Sequence, residues 1–378
     1  MIPLFKVGMS ADAGRLVSDV LSSGYIGQGP RVEEFEDALR ERIGNPNVVT
    51  VNSATSGLHL ALHMVAGAGG PGGADVSVPG EVLTSPLTCT ATNWPILANG
   101  LRIRWVDVDP ATLNVDLTDL ARKITERTRA VVVVHWAGYP VDLDRLSRIL
   151  DDAERTFGHR PVVIEDCAHA WGSTFGGRPL GNHGNIAVFS FQAIKHLTTG
   201  DGGLLVLPDP QLAERARLLR WYGIDRDRGQ SFRCEHDVAE YGFKFHLNDI
   251  NAAIGLANLA EVDGRVARHQ DNAAFYDREL KDVAGIRMTE RADDRQSSFW
   301  LYSLLVQRRQ AFMDRLAERG IDSSPVHHRN DTHSCAREYR QLLPGLDSFA
   351  DQVVSIPVGW WVTDTDRQHI VDVIRGGW

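Results

Sequence analysis

Lys195 stands among neighbours that are unusual for a surface lysine. The segment VFSFQAIKHLTTGDGG places this amine after an apolar, aromatic-rich run and before a glycine-rich turn. An amine held beside apolar groups loses its proton more readily and becomes a nucleophile towards aldehydes. Ser190 has a hydroxyl that can donate to a phosphate, and the glycines of the turn let the chain pass close to a bound ring. The alternative is an ordinary lysine at a strand–loop junction.

Asp166 ends a second apolar run, in the segment PVVIEDCAHAWG. A carboxylate without a partner at the end of a buried strand is costly. A protonated pyridine nitrogen would be a cationic partner, and the carboxylate would keep that ring protonated and electron-withdrawing. His169 follows closely enough to hydrogen-bond a substituent of such a ring. The alternatives are an aspartate that caps the next turn and a histidine satisfied in the core.

The segment VNSATSGLHLAL places small polar residues between a β run and an apolar helix. The backbone N–H groups of Ala54 and Thr55 and the hydroxyl of Thr55 therefore lie at a helix N-terminus, which is a ready phosphate site. Simple N-capping by Ser53 or Thr55 explains the same residues.

Asn248 precedes another apolar helix, in YGFKFHLNDINAAIGLANL, where an N-cap is the ordinary interpretation. None of these elements is decisive alone. Together they supply a phosphate cradle, an acid for a pyridine nitrogen and a lysine amine, and pyridoxal 5′-phosphate (PLP) needs all three groups.

The secondary-structure elements that would position these residues alternate along the chain between β runs and helical segments. An opening helix is predicted from Ala11 to Leu21, and amphipathic segments such as LDRLSRILDDAERTF lie between the later β runs. The β runs are residues 48–52, 75–79, 102–108, 130–136, 161–166, 186–191 and 203–207. This alternation predicts an α/β fold with a largely parallel sheet, where ligands gather at the carboxyl ends of strands. Long helical patterns and short strands from about Asn251 predict two domains, residues 1–250 and a smaller α+β domain, 251–378.

The composition excludes several classes of protein. The chain has 378 residues and a net charge of -9, from 49 acidic and 40 basic residues, which argues against a nucleic-acid binder. No apolar run suits a signal peptide or a membrane span, so we expect a soluble, cytoplasmic protein without membrane partners. Four scattered cysteines without a CxxC pair argue against a disulfide framework or a structural zinc site.

Two segments resemble motifs without fulfilling them. GAGGPG, residues 67–72, matches G-x-G-x-x-G, but it follows a helix and leads into a strand, so we interpret it as a loop. HHRNDTHSC, residues 327–335, groups potential metal ligands at a spacing that fits no standard zinc pattern. We predict no metal there, and expect sugar or phosphate contacts through Arg329 and His333.

Beyond these motifs, the chain resembles the DegT/DnrJ/EryC1/StrS family of PLP-dependent nucleotide-sugar aminotransferases along nearly its whole length. The resemblance rests on segments including SSGYIGQGPRVEEFE, SPLTCTATN, VIEDCAHAWG, FSFQAIKHLTTGDGG and GFKFHLNDINAAIGL. It implies the fold-type I, aspartate-aminotransferase-like architecture. It also implies a homodimer with two active sites at the interface.

By this resemblance, Lys195 corresponds to the Schiff-base lysine that also shuttles the proton, and Asp166 to the partner of the pyridine nitrogen. His169 corresponds to a residue near the ring hydroxyl. Phosphate contacts are implied for Ala54, Thr55 and Ser190, and for Asn248 towards the cofactor of the partner subunit. Substrate contacts are predicted at Tyr25, Gln28, Arg329 and His333. Arg226, Arg228 and Arg329 are candidates for the basic patch that an anionic sugar nucleotide requires.

Cys89 departs from the family pattern, which has an aromatic residue stacking on the cofactor ring at this position. A thiol packs against a ring but forfeits aromatic stacking. Either cofactor affinity is lower, or a tryptophan such as Trp171 compensates.

Within the family, the chain is most similar to actinomycete 4-aminotransferases acting on dTDP-4-keto-6-deoxyglucose, with L-glutamate as the expected amino donor. The alternatives are a 3-ketosugar aminotransferase, a PLP-dependent sugar dehydratase and a non-catalytic, ligand-sensing homologue. Dehydratase relatives carry histidine at the position of Lys195, so the lysine favours transamination.

Overall fold

The computed structural model describes residues 1–66, 79–226 and 237–378. The strands are β1 (Val48–Val51), β2 (Glu81–Thr84), β3 (Arg102–Trp105), β4 (Thr128–Val134), β5 (Val162–Asp166), β6 (Thr174–Phe175), β7 (Arg178–Pro179), β8 (Ile186–Ser190), β9 (Gly203–Val206), β10 (Ile286–Met288), β11 (Arg295–Gln296), β12 (Tyr302–Val306) and β13 (Val353–Ile356). The helices are α1 (Ala13–Ser23), α2 (Pro30–Ile43), α3 (Ala54–Ala66), α4 (Thr90–Ala98), α5 (Leu117–Lys123), α6 (Leu143–Phe157), α7 (Pro210–Leu219), α8 (Asp249–Leu259), α9 (Val262–Leu280), α10 (Arg309–Glu318), α11 (Pro344–Asp347) and α12 (Asp364–Arg375).

A mixed sheet in the order β1-β9-β8-β5-β4-β2-β3 forms the centre of the fold. The neighbouring pairs among β3, β2, β4, β5 and β8 are parallel, whereas β9 runs antiparallel to both β8 and β1. Apolar side chains pack against both faces of the sheet, in two separate clusters. This explains why strands such as β4, with its run AVVVV, are almost continuously apolar. The predicted α/β fold with a largely parallel sheet is confirmed.

Several elements differ from the sequence prediction. Most of the β run expected at 75–79 lies outside the described residues, and the loop at 67–72 lies wholly outside them. Strand β2 was not expected. The first of the long helical patterns expected from about Asn251 is divided into two helices, α8 and α9.

Tertiary packing explains the break between α8 and α9, since neither glycine nor proline marks it. On α8, the buried Asn258 accepts from the Ser10 N–H and donates to the Thr198 carbonyl. On α9, Asn272 instead donates to the carbonyls of Val358 and Gly359. The two helices are therefore held by different parts of the chain.

The C-terminal region adds a small antiparallel sheet in the order β10-β12-β13. It shares a core with α9, α10 and α12. The expected boundary between residues 250 and 251 falls inside α8, and Ala252 of that helix packs in the core of the large sheet. The division into two domains stays a prediction.

The register of the sheet brings the ends of several strands to one edge. Gly203, at the start of β9, is the register partner of Val51 at the end of β1 and of Ser190 at the end of β8. Asp166, at the end of β5, pairs in register with Val188 of β8. The polar ends of β5 and β8 therefore lie beside the turn that leads into α3.

No helix in the described ranges is long and apolar enough to cross a membrane. The cytoplasmic location stays a prediction.

The absence of a side chain at Gly203 is required by close packing. A Cβ atom there would lie 2.6 Å from the backbone nitrogen of Ala54 and 2.7 Å from the carbonyl carbon of Ser53. We expect Gly203→Ala to destabilise the protein by about 1–3 kcal/mol, because rigid backbone must move. Gly264→Ala on α9 is the matched control, since its Cβ would meet nothing within 4 Å, and we expect it to stabilise by up to about 1 kcal/mol. Urea unfolding of the two variants measures the difference, and equal midpoints would contradict the close-packing argument.

Candidate active site

A cavity of about 300 Å3 opens at the strand edge that carries Asp166 and Ser190. It is bounded by the large sheet on one side and by side chains of the C-terminal region on the other. Seven of the eight predicted cofactor-binding residues line it: Ala54, Thr55, Cys89, Asp166, His169, Ser190 and Lys195. The fold therefore brings together residues that are far apart in the sequence.

Asp166 presents a buried carboxylate to this cavity, with only 3% of the residue exposed. Thr92 donates its hydroxyl to one carboxylate oxygen at 2.7 Å, and the backbone N–H of Ala168 donates to the other at 3.0 Å. Both donors are neutral, and burial raises the pKa of the carboxyl group despite them. The expected turn-capping contact is thus present, but it leaves the charge without a full counter-charge. A cationic heteroaromatic nitrogen in the cavity would complete the site.

Lys195 reaches into the same cavity from the loop after β8. Its Nζ atom lies 3.4 Å from the centroid of the Trp300 ring. Removal from water lowers the pKa of this amine to about 7, against the opposing effect of the Asp166 charge. A substantial fraction of Lys195 is therefore neutral and nucleophilic at neutral pH. The structure rules out the alternative of an ordinary surface lysine.

His169 is buried and stacks on Trp300, with 4.0 Å between ring centroids and 15° between ring planes. Burial, with a smaller contribution from the charge of Lys195, holds its pKa well below the ordinary value, so the imidazole is neutral. Its Nδ1 atom is buried and has no hydrogen-bond partner among the described residues. A histidine satisfied within the core was the alternative, and this unpaired nitrogen instead suits a polar substituent of a ligand.

The turn before α3 forms a cradle for an anion. Ser53 caps the helix, because its Oγ atom accepts from the backbone N–H of Ser56 at 3.1 Å. The capping alternative is therefore right for Ser53, while Thr55 is exposed towards the cavity with Ala54 beside it. Backbone N–H groups in the first turn of a helix lack intrahelical acceptors and attract anions.

Ser190 completes this cradle from the end of β8. Its Oγ atom accepts from the Gln192 backbone N–H at 3.3 Å, so the hydroxyl proton is left to donate. Two sources of donors, a helix N-terminus and a hydroxyl, thus converge at one end of the cavity. The Asp166 carboxylate lies in the same cavity, and a phosphorylated pyridine ring fits this set of groups.

Cys89 lies in the cavity at the N-cap position of α4. Trp171, considered above as a compensating aromatic residue, does not line the cavity. It is buried against Phe189 and Phe191, with ring centroids 5.6 and 5.7 Å away. That expectation was wrong because the turn after β5 directs Trp171 into the core. The tryptophan that lines the cavity is Trp300.

Asn248 caps α8 through its side-chain oxygen, which accepts from the backbone N–H of Asn251 at 2.9 Å. It is not among the cavity-lining residues, and neither are Tyr25 and Gln28. Tyr25 is exposed, while Gln28 accepts hydrogen bonds from Arg226 through its side-chain and backbone oxygens. The proposed roles of these residues stay predictions.

Arg329 and His333 also lie outside the cavity lining. The Arg329 guanidinium pairs with Asp331 at 2.7 Å and with Asp347 at 2.5 Å, and these carboxylates raise its pKa. His333 packs edge-on against Trp94. From the segment 327–335, His327 lines the cavity. Arg228 lies outside the described residues.

Sequence reasoning missed three residues of the site. Thr92 follows Cys89 by one helical turn on α4, a spacing that would have identified it once Cys89 was placed in the cavity. Trp300 and His327 come from a distant part of the chain, and no local pattern marks them. Burial lowers the pKa of His327 to about 4, so this imidazole is neutral at pH 7.

Comparison with known proteins agrees with this geometry. The sugar aminotransferase CalS13 from Micromonospora echinospora is 58% identical over 100% of both chains, with a TM-score of 0.96. AtS13 from Actinomadura melliaura is 57% identical over 100% of this chain and 99% of its own, also with a TM-score of 0.96. Spr1654 from Streptococcus pneumoniae, in its PLP form, is 26% identical over 99% of this chain and 98% of its own, with a TM-score of 0.88.

The fold and the cavity thus define a fold-type I, PLP-dependent enzyme. The chain belongs to the DegT/DnrJ/EryC1/StrS aminotransferase family, whose profile matches residues 9–375. PLP is its cofactor, and its activity is that of a sugar aminotransferase. Both conclusions agree with the expectations from the sequence.

The Thr92 hydroxyl gives a test of the Asp166 environment. In Thr92→Val the carboxylate loses a buried donor, its pKa rises further, and we expect PLP to bind roughly tenfold more weakly or worse. Thr92→Ser keeps the hydroxyl and is the control, expected to bind PLP nearly as the parent does. Equilibrium dialysis of apo-protein against PLP measures both affinities. Equal affinities for the valine and serine variants would show that this hydrogen bond does not support cofactor binding.

Proposed function

We propose that this chain transfers an amino group from L-glutamate to C4 of dTDP-4-keto-6-deoxy-D-glucose, for the synthesis of a deoxyaminosugar. The proposal is carried by one observation: a lysine amine with a pKa of about 7 and a buried carboxylate share one cavity. The similarity to CalS13, named as a sugar aminotransferase from an actinomycete, supports the substrate class.

The residues that line the cavity suit the parts of PLP. When bound, PLP supplies an electrophilic carbon and an electron-withdrawing ring, which allow an amino group to be exchanged. Asp166 would hold the ring nitrogen, and His169 the ring hydroxyl. The first turn of α3 and Ser190 would hold the phosphate. The two hydrogen-bond donors of Asp166 within the protein are neutral, so neither of them supplies a positive charge in place of the ring nitrogen.

Lys195 would move the proton in each half of the reaction. A general acid–base works best when its pKa lies near the working pH, because both protonation states are then accessible. The pKa of about 7 meets this condition, whereas an exposed lysine would stay protonated. Desolvation by the surrounding protein, the largest influence on this pKa, is therefore part of the mechanism.

The sugar would lie against the wall of the cavity that the C-terminal region supplies. His327 and Trp300 form this wall, with ring planes 15° apart and centroids 6.3 Å apart. The Nε2 atom of His327 is buried and has no hydrogen-bond partner among the described residues. A neutral imidazole in this position can donate to or accept from a sugar hydroxyl.

Product identification with a panel of ketosugars tests the substrate. The enzyme is incubated with 15N-labelled L-glutamate and either dTDP-4-keto-6-deoxyglucose or the corresponding 3-ketosugar, and the products are identified by NMR. We expect 15N at C4 of the first sugar, and Lys195→Ala as control gives no product. Label at C3 would establish the 3-aminotransferase instead. A deoxygenated, nitrogen-free sugar would establish a dehydratase, and absence of turnover would favour a ligand-sensing homologue.

We further propose that the enzyme is a homodimer in which Asn248 reaches the phosphate of the partner subunit's cofactor. Asn248 lies outside the cavity of its own chain, and its side-chain oxygen is occupied by capping α8. Only the amide nitrogen would then serve a phosphate, as a donor, which matches the need of that group. The family resemblance and this placement support the proposal.

Hybrid dimers test whether Asn248 acts across the interface. Lys195→Ala and Asn248→Ala subunits are mixed, dissociated and reassociated, with each unmixed variant as control. If Asn248 serves the partner's site, each hybrid dimer has one site with both defects and one intact site, so activity recovers. If it serves its own site, both sites of the hybrid are impaired, and the absence of recovery contradicts the proposal.

A further inference from the structure

Trp300 has a contact with Lys195 that the proposed function does not use. The Nζ atom lies 3.4 Å from the ring centroid, well within the roughly 6 Å over which an ammonium group is attracted to an aromatic face. Tryptophan is the aromatic side chain that makes this interaction strongest.

The position of the Trp300 ring is fixed by its surroundings. The residue is only 4% exposed, and its indole N–H donates to the carbonyl of Ile194 at 2.9 Å. Ile194 immediately precedes Lys195, so the ring is attached to the backbone that carries the amine. His169 stacks on the indole at 4.0 Å and Phe5 at 5.1 Å. The ring therefore cannot turn away from Lys195 without breaking several contacts.

The groups around the Lys195 amine determine which partners its ammonium form has. Asp166, at the end of β5, and Cys89, at the N-cap of α4, favour the ammonium form. The neighbouring histidines are His169, His196 and His327, and each has a lowered pKa, mainly through burial. They are neutral at pH 7 and therefore place no second positive charge beside the ammonium group. In the loaded enzyme, the Asp166 charge would be matched by the cofactor nitrogen, and the aromatic face of Trp300 would still lie beside the amine.

We infer that the Trp300 ring binds the Lys195 ammonium group during the part of the cycle in which this amine is not bonded to the cofactor. The inference rests on the proposed role of Lys195. Trp300 is thus a positioning residue: it lowers the free energy of the released, protonated amine and keeps that amine at the site where its proton is needed. It acts through Lys195 and does not itself exchange a proton.

The pKa of Lys195 in the apo-protein tests this inference directly. The rate of acetylation of each lysine is followed by mass spectrometry of its peptide at a series of pH values. Loss of the aromatic face in Trp300→Leu should lower the pKa of Lys195 by about 0.5–1.5 units, and Trp300→Phe should restore part of the difference. Trp360→Leu is the matched control, because Trp360 lies 5.3 Å from the Nζ atom of another lysine, Lys6. It should leave Lys195 unchanged.

Fluorinated tryptophan provides a second route if Trp300→Leu does not fold. Incorporating 5-fluorotryptophan withdraws electron density from the ring at nearly unchanged size, so the pKa of Lys195 should again fall. An unchanged pKa in folded Trp300→Leu, or in the fluorinated protein, overturns the inference. Failure of the proposed role of Lys195 is distinguishable, because borohydride would then trap PLP on a residue other than Lys195, whatever the pKa of this lysine.

Discussion

Desolvation of two ionisable groups in one cavity is the constraint on which the site depends. Burial raises the pKa of Asp166 above the ordinary value of a carboxyl group and lowers that of Lys195 to about 7, so that the charged form of each group is disfavoured. In water, the same side chains would be a fixed anion and a fixed cation. A bound, cationic pyridine ring can offset the cost of the buried Asp166 carboxylate, while the same removal from water makes the Lys195 amine reactive.

The fold brings the two desolvated groups together because several strands of the large sheet end at one edge. Register pairing places Ser190 opposite Gly203 and next to β5, which ends in Asp166. The missing Cβ of Gly203 lets β9 approach the turn before α3, where the N–H groups of Ala54 and Thr55 gather. The C-terminal region then closes the cavity with His327 and Trp300.

The sequence predicted site residues where a chemically active side chain interrupts a regular strand pattern. Asp166 and Ser190 could be predicted because each ends an apolar strand and breaks its pattern with a polar group, and Lys195 because it lies shortly after such a strand. The strand pattern likewise predicted the α/β fold. Trp300 and His327 could not be predicted in this way, because their place in the cavity depends on how the C-terminal region packs against the large sheet. The error over Trp171 has the same origin, since a local pattern does not show which side of a turn faces the core.

Borohydride trapping of the cofactor tests the central claim most directly. Apo-protein is mixed with PLP at pH values below and above 7, reduced with borohydride after short intervals, digested and examined by mass spectrometry. We predict a pyridoxyl group on the peptide that contains Lys195, formed faster as pH rises through about 7, because only the neutral amine attacks the aldehyde. A pyridoxyl group on another lysine, or a rate that rises only near the pKa of an ordinary lysine, would contradict the account.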